Sequence, residues 1–293
     1  MTRRSNASRR IREGGLRGAR RGSRPNPSQR GRSDTQGAKP TLVDYHVHLL
    51  GHLDVENPGE RLHDFVKTAI RKGVSEIGFA DHDLYVDISD FPAFRGAQKA
   101  FPEVGIRVGL EFDFSPKRVN VAHTLLGALD LDYLIGSVHA IDGWDIDDPK
   151  QMDGWRQRPV DEVYHLYYAL VAQAARTRLF HIIGHLDLPK VFGFLPKGDP
   201  TSYAAPALEA IRDAGCAVEI NTNGRYKPAA EMYPSRPLLE RCFEMGIPLT
   251  LGSDAHAPEN AGRDLAHAAE LAKSVGYTRL ATYQGRRMGS IPL

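Results

Sequence analysis

The chain has 293 residues, 41% of them apolar, enough for one large domain or two small ones with a real core. Its formal net charge of +2 hides an uneven distribution: residues 1–40 hold eleven Arg and one Lys against Glu13 and Asp34, or +10, while the remaining 253 residues carry 26 basic and 34 acidic side chains, or −8. Two cysteines, Cys216 and Cys242, exclude a disulfide framework and fit a reducing cytoplasm. No apolar run approaches the ~18 residues of a membrane span, and no hydrophobic signal segment is expected.

Residues 1–40 offer almost nothing apolar to bury and are read as a disordered basic extension that cannot offset its own ordering entropy. Three roles compete for it: a solvated or non-functional extension, an arm touching nucleic acid or another polyanion, and an organelle transit peptide. The transit reading lacks an apolar helical face.

From Thr41 the pattern turns regular. Short apolar runs (TLVDYHV, SEIGFAD, IRVGLEF, DYLIGSV, FHIIGH, AVEIN, PLTLGSD and a weaker TRLATYQ) alternate with helix-like segments such as ERLHDFVKTAIRKG, DEVYHLYYALVAQAAR, AAPALEAIRDAG and RPLLERCFEMG. Several of the latter close on Gly, a common helix stop. Continuous apolar strands alternating with helices predict a parallel sheet covered on both faces. Seven or eight such units in ~250 residues fit a closed α/β barrel better than an open sheet.

Every run ends in a metal-ligand type of residue. In chain order these are His46 and His48, Asp81 and His82, Glu111 and Asp113, His139, His185 with Asp187, Glu219 with Asn221, and Asp254 with His256. Barrel strand ends converge on one face, so these side chains, with His52, are expected in one pocket. His63, His123, His165, His181 and His267 lie in helix-like segments or at a strand start and are read as packing or surface residues. His46 and His48 fall on one face of their strand because the side-chain period is two. Imidazoles and carboxylates without paired thiolates suit Zn, Fe or Mn. So many ligands exceed the needs of one tetrahedral ion, which predicts two or three divalent ions sharing a carboxylate, the arrangement of phosphoester hydrolysis. A structural metal site would instead be a closed set rich in Cys.

DYHVH at 44–48, ADH at 80–82, GLEFDF at 109–114, GSVH at 136–139, GHLD at 184–187 and GSDAH at 252–256 resemble the motifs of the polymerase-and-histidinol-phosphatase (PHP) superfamily. GSVHAIDGWDID, IGHLDLPKVFG, EINTNGRYKPAAEMYPS and GIPLTLGSDAHAPENAG carry a closer likeness to its histidinol-phosphatase branch. The resemblance spans nearly all of 41–270 and implies a distorted (β/α)7 TIM-like barrel with three metals at the C-terminal strand ends, within a catalytic domain of residues 41–293. By motif, His46, His48, Glu111 and Asp254 would hold the first ion. Glu111, bridging, would hold the second with His139 and His185, and His52, His82 and His256 would hold the third. His52 lies two residues earlier than the family pattern places its counterpart. Asp44, and after it Asp81 and Asp187, look like carboxylates that would fix imidazole tautomers.

The implied activity is metal-dependent hydrolysis of L-histidinol phosphate in histidine biosynthesis, by in-line attack of a metal-bridging hydroxide. Glu111, Asp254 and His256 would form the catalytic group, with Asp254 or His256 protonating the departing alkoxide. The absence of a GxxxxGK[ST] match favours hydrolysis over transfer from ATP. Arg225 and Lys227 are candidates for the phosphate, although the family's Arg position is Tyr226 here. Trp144, Asp145 and Asp147 are candidates for the amino-alcohol and imidazole. Rival readings are another phosphoesterase of the superfamily, an amidohydrolase, and a non-catalytic metal-binding or regulatory module. No strand ends in the Lys an amidohydrolase would use to bridge its metals, and no ligand is evidently lost. A small phosphomonoester is the expected partner. The acidic body gives no reason to require nucleic acid, and nothing calls for a membrane.

Overall fold

A computed structural model describes residues 41–50, 58–89 and 91–293; His52 and the 1–40 extension lie outside these residues. In chain order the first elements are β1 (Leu42–Val47), α1 (Pro58–Arg71), β2 (Val74–Phe79), α2 (Phe91–Ala100), β3 (Gly105–Val108) and β4 (Glu111–Asp113). They are followed by α3 (Val119–Ala128), β5 (Ile135–Ser137), β6 (Ala140–Ile141), β7 (Trp144–Asp145), α4 (Asp153–Arg156), α5 (Val160–Arg176) and β8 (Ile182–Ile183). The last are α6 (Pro200–Ala214), β9 (Ala217–Asn221), α7 (Arg236–Glu244), β10 (Leu249–Gly252), α8 (Leu265–Val275), β11 (Arg279–Gln284) and β12 (Arg287–Pro292).

The central strands are parallel, as continuous apolar runs with helical crossovers require. One sheet has the order β1-β2-β3 and the other β10-β9-β8-β5-β4. Every residue of β1, β9 and β10 is buried, which only a sheet covered on both faces allows. Helix boundaries follow local chemistry. Asp199 caps α6 by accepting from the Thr201 amide at 2.9 Å, Pro200 opens it, and Gly215 ends it at φ 76°.

Two expected strands depart from the sequence pattern. IRVGLEF is split into β3, which pairs with β2, and β4, which pairs with β5; at the break the Tyr133 ring lies against Gly109, where a Cβ would sit 2.3 Å from Tyr133 Cζ. Pairing with β2 nonetheless continues across the break, through Gly109 N donating to Phe79 O (2.8 Å) and Glu111 N to Asp81 O (3.0 Å). TRLATYQ forms β11, but it pairs antiparallel with β12 instead of joining the parallel strands. The intervening Gly285-Arg286 turn, with both residues at positive φ, explains the hairpin. Among the described residues no helix is long and apolar enough to cross a membrane.

Candidate metal centre

The strand ends gather their candidate side chains around one buried carboxylate. Glu111, at the start of β4, is 1% exposed and faces five imidazoles. Its Oε2 lies 3.3 Å from His46 Nε2, 3.5 Å from His48 Nε2 and 3.2 Å from His82 Nδ1. Its Oε1 lies 3.1 Å from His185 Nε2 and 3.6 Å from His139 Nε2. Each oxygen thus serves a different set of ring nitrogens, as a carboxylate shared between two cations would. Burial alone would raise the Glu111 carboxyl, but the surrounding imidazoles hold it well below the usual carboxylate range.

Ring orientation comes from carboxylates behind the imidazoles. His46 Nδ1 donates to both oxygens of Glu219 in β9, at 2.9 and 3.0 Å, so its Nε2 is the free ligand atom toward Glu111. Asp113 fixes His139 in the same way, through Nδ1 at 2.6 Å. That leaves His139 Nε2 facing His185 Nε2 at 3.2 Å, both beside Glu111 Oε1. His48 stacks between His82 (centroids 4.8 Å) and His256 (4.2 Å), with Nε2 3.4 Å from Asp254 Oδ1. Burial, with the neighbouring His256 and His82, pushes His48 down to about 3 and keeps it neutral, the form that ligates metal.

Asp254 adopts φ 52° in the turn after β10, a conformation Asp tolerates better than most residues. Asn221 and Asn223 donate to its Oδ2 at 3.2 and 3.3 Å, fixing the carboxylate. Burial opposes its ionisation, but His46, His48 and His256 keep it ionised.

The donor set fits cations. Buried His46 Nε2 and both ring nitrogens of His48 have no hydrogen-bond partner among the described residues, although carboxylate oxygens lie within 3.3–3.5 Å. Nitrogen and oxygen donors converge at these points, and a cation between them, a proton or a metal ion, would satisfy both. Four groups have ligand atoms within 4.8 Å of one another: His46-His48-Glu111, Glu111-His139-His185, His48-His82-His256 and His82-Asp113-His139. The second is a set expected from sequence, and the first is the other expected set without Asp254. In the third, His48 stands beside His82 and His256, while the expected His52 lies outside the described residues.

Three carboxylates do other work than expected. Asp44 shares a strand face with His46, but its oxygens are taken up elsewhere. It accepts instead from Ser253 N (2.8 Å), Ser253 Oγ (2.7 Å) and Gly262 N (2.8 Å), holding the turn that carries Asp254. Asp81 holds the Leu50 amide at 2.9 Å, and Asp187 pairs with Lys190 and accepts from Ser235 N.

A cleft of about 470 Å³ opens over the cluster. Lys227 lines it, as do Asp145, Asp147, Asp254 and His256. Arg225 is outside that lining and pairs with Asp264 at 3.3 Å. Trp144 is also outside it: the ring is buried edge-on against Trp155, and Nε1 donates to Gln151 O. Strand alternation explains the outcome, since burying Trp144 turns Asp145 outward. Sequence reasoning missed Arg263, which lines the cleft, and the partner role of Glu219. Only the neighbouring order of β9 and β10 brings Glu219 to His46, and no local signal marks that.

Gly252 shows how tightly this layer is packed. A Cβ there would lie 2.6 Å from both Glu219 Oε2 and His46 Cβ. Gly252→Ala is expected to cost about 2–3 kcal/mol and to lower metal content by displacing the His46–Glu219 pair. Thermal unfolding and metal analysis check this; wild-type values for both would refute it.

A family model described as "PHP domain" matches residues 44–223. A "Probable histidinol-phosphatase" from Deinococcus radiodurans is 38% identical over 263 residues, covering 84% of this chain and 98% of that protein. The "Histidinol-phosphatase" of Lactococcus lactis is 26% identical over 264 residues, covering 84% and 96%. The fold is that of a solved Lactococcus lactis histidinol phosphate phosphatase complexed with zinc, L-histidinol and phosphate: TM-score 0.72 at 23% identity, covering 86% of this chain and 99% of that one.

Proposed function

This chain belongs to the PHP domain family, and from that premise we infer that it is a histidinol-phosphatase, hydrolysing L-histidinol phosphate to L-histidinol and phosphate in histidine biosynthesis. The observation that carries the reading is Glu111, buried among five imidazoles at 3.1–3.6 Å beneath an open cleft, in a chain 38% identical to a probable histidinol-phosphatase along nearly all of that relative's length.

His46, His48, Glu111 and Asp254 would hold one divalent ion, and Glu111, His139 and His185 a second. His82 and His256, with His48 or His52, would hold a third. Zn, Fe or Mn suits this set. When bound, the ions neutralise the phosphoryl oxygens and supply the nucleophile for hydrolysis at neutral pH. The protein's part is orientation and proton transfer. Glu219 and Asp113 keep Nε2 of His46 and His139 turned inward. Asp254, held ionised, suits a ligand, whereas His256 would donate to the departing alkoxide only where the third ion is held without it. Asp145 and Asp147 complement the cationic end of the substrate, and Lys227 its phosphate.

The parallel strands are proposed to close as a seven-stranded barrel, β3 and β4 counting as one. Asp254 N donating to His46 O (2.7 Å) and His48 N to Ala255 O (2.9 Å) support closure between β1 and the end of β10. Catalysis is assigned to residues 41–293, so a chain starting at residue 41 should keep kcat/KM within about twofold. A tenfold loss would give the basic extension a catalytic role.

The direct test is phosphate release from L-histidinol phosphate by protein reconstituted with Mn or Zn, beside sugar phosphates, nucleotides and a chelated control. Preference for histidinol phosphate, abolished by chelation, is expected. Metal-dependent release from another ester instead would keep the centre and overturn the substrate.

A further inference from the structure

Resting on that reading, we propose that Arg263 grips the phosphoryl group from the protein side of the cleft and that Tyr226 is its positioning residue. Arg263 follows the Gly262 turn between β10 and α8 and lines the cleft beside Asn223, Lys227 and Asp254. Its guanidinium is held on three sides. Nη2 donates to Asn223 Oδ1 at 3.0 Å, Nη1 donates to Asn260 Oδ1 at 3.2 Å, and Cζ lies 3.6 Å from the centroid of the Tyr226 ring. The backbone is pinned as well, since Thr222 Oγ1 donates to Arg263 O at 2.7 Å.

The donors left over decide what this cation can do. Arg has five N–H groups in a planar fork, and these two bonds use two of them. Buried Nε has no partner among the described residues, and no carboxylate pairs with Arg263 among the ion pairs found there. A guanidinium rigidly held, without an anionic partner and facing a cleft is built for a bidentate oxyanion. Asn223 adds a direct link to the metal centre: its Oδ1 accepts from Arg263 while its Nδ2 donates to Asp254 Oδ2. The fork is therefore held at a fixed place relative to a ligand of the centre.

Tyr226 sets the plane of the fork. Its hydroxyl donates to Asp264 Oδ2 at 2.8 Å, and Arg225 pairs with the same carboxylate, so the ring is braced from behind. The ring face does the positioning, through stacking and cation–π attraction.

The test measures inorganic phosphate binding to the metal-loaded protein by calorimetry, with metal content and thermal unfolding alongside, and then kcat and KM on L-histidinol phosphate. Arg263→Ala is expected to weaken phosphate binding about 10- to 100-fold. Arg263→Lys should fall between, because it keeps the charge and loses the fork. Competitive inhibition by L-histidinol, which lacks phosphate, should stay within twofold in both. Tyr226→Ala should weaken phosphate binding about fivefold, and Tyr226→Phe, which keeps the ring, about twofold at most. Guanidinium ion added to Arg263→Ala should restore part of the KM. Wild-type phosphate affinity in both Arg263 variants would overturn the assignment. Equal losses in Tyr226→Phe and Tyr226→Ala would overturn positioning by the ring face. If the wild-type protein left histidinol phosphate intact, the substrate reading would fail, yet phosphate affinity would still score Arg263.

Discussion

Glu111→Gln is expected to lower kcat/KM by at least about 10³-fold, a loss of roughly 4 kcal/mol in transition-state stabilisation, and to deplete metal from two sites at once. The substitution keeps the shape of the side chain and removes its charge. In the native chain both oxygens are committed: Oε2 to His46, His48 and His82, Oε1 to His139 and His185. A neutral amide cannot balance two cations, and its NH₂ group would present donors where a ligand lone pair is needed. The same NH₂ can hydrogen-bond the neutral imidazoles, so the fold should survive. Metal stoichiometry, far-UV circular dichroism and phosphate release together check this. Loss of activity with full metal content would move Glu111 from shared ligand to proton transfer. Retained activity would remove it from the centre.

The convergence of the candidate ligands was legible because strand ends carry little ambiguity. The period of two puts His46, in β1, and His48, one residue past its end, on one face, and a parallel sheet sends all its C-terminal ends to one side. What depends on neighbours was not legible. Glu219 becomes the partner of His46 only because β9 lies beside β10 and the residues after β10 bond to β1. Asp44 sits two residues from His46 in sequence, yet the turn after β10 brings the amides of Ser253 and Gly262 to its carboxylate, and these take up its oxygens. Trp144 read as an aromatic for the substrate and is consumed by packing on Trp155, with Asp145 turned to the cleft in its place. Arg225 and Arg263 are equally basic in sequence. Asp264 pairs with one and the Tyr226 ring supports the other, a choice made by loops that carry no periodic signal.

The second large effect is expected at Glu219, which is fully buried and touches no substrate. Its Oε1 accepts from His185 N at 2.8 Å and from Asn221 Nδ2 at 3.0 Å, while both oxygens receive His46 Nδ1. One carboxylate therefore orients a ligand on β1 and the backbone that carries a ligand after β8. Glu219→Gln keeps an acceptor for some of these donors but forces its own NH₂ against others. It should cost 10- to 100-fold in metal affinity, about 1.4–2.7 kcal/mol, with a matching fall in activity at limiting metal. Glu219→Ala should be worse for folding. It strands the His185 amide and His46 Nδ1 without acceptors in a dry interior, and buried donors left unsatisfied cost about 1–3 kcal/mol each. The two variants thus separate the roles: the Gln form should regain activity when metal is added in excess, whereas the Ala form should show a lowered Tm that metal only partly restores. Chelator competition and thermal unfolding across a metal titration decide it. Wild-type metal affinity in both variants would mean that His46 keeps its orientation without Glu219, and the role assigned to this carboxylate would fall.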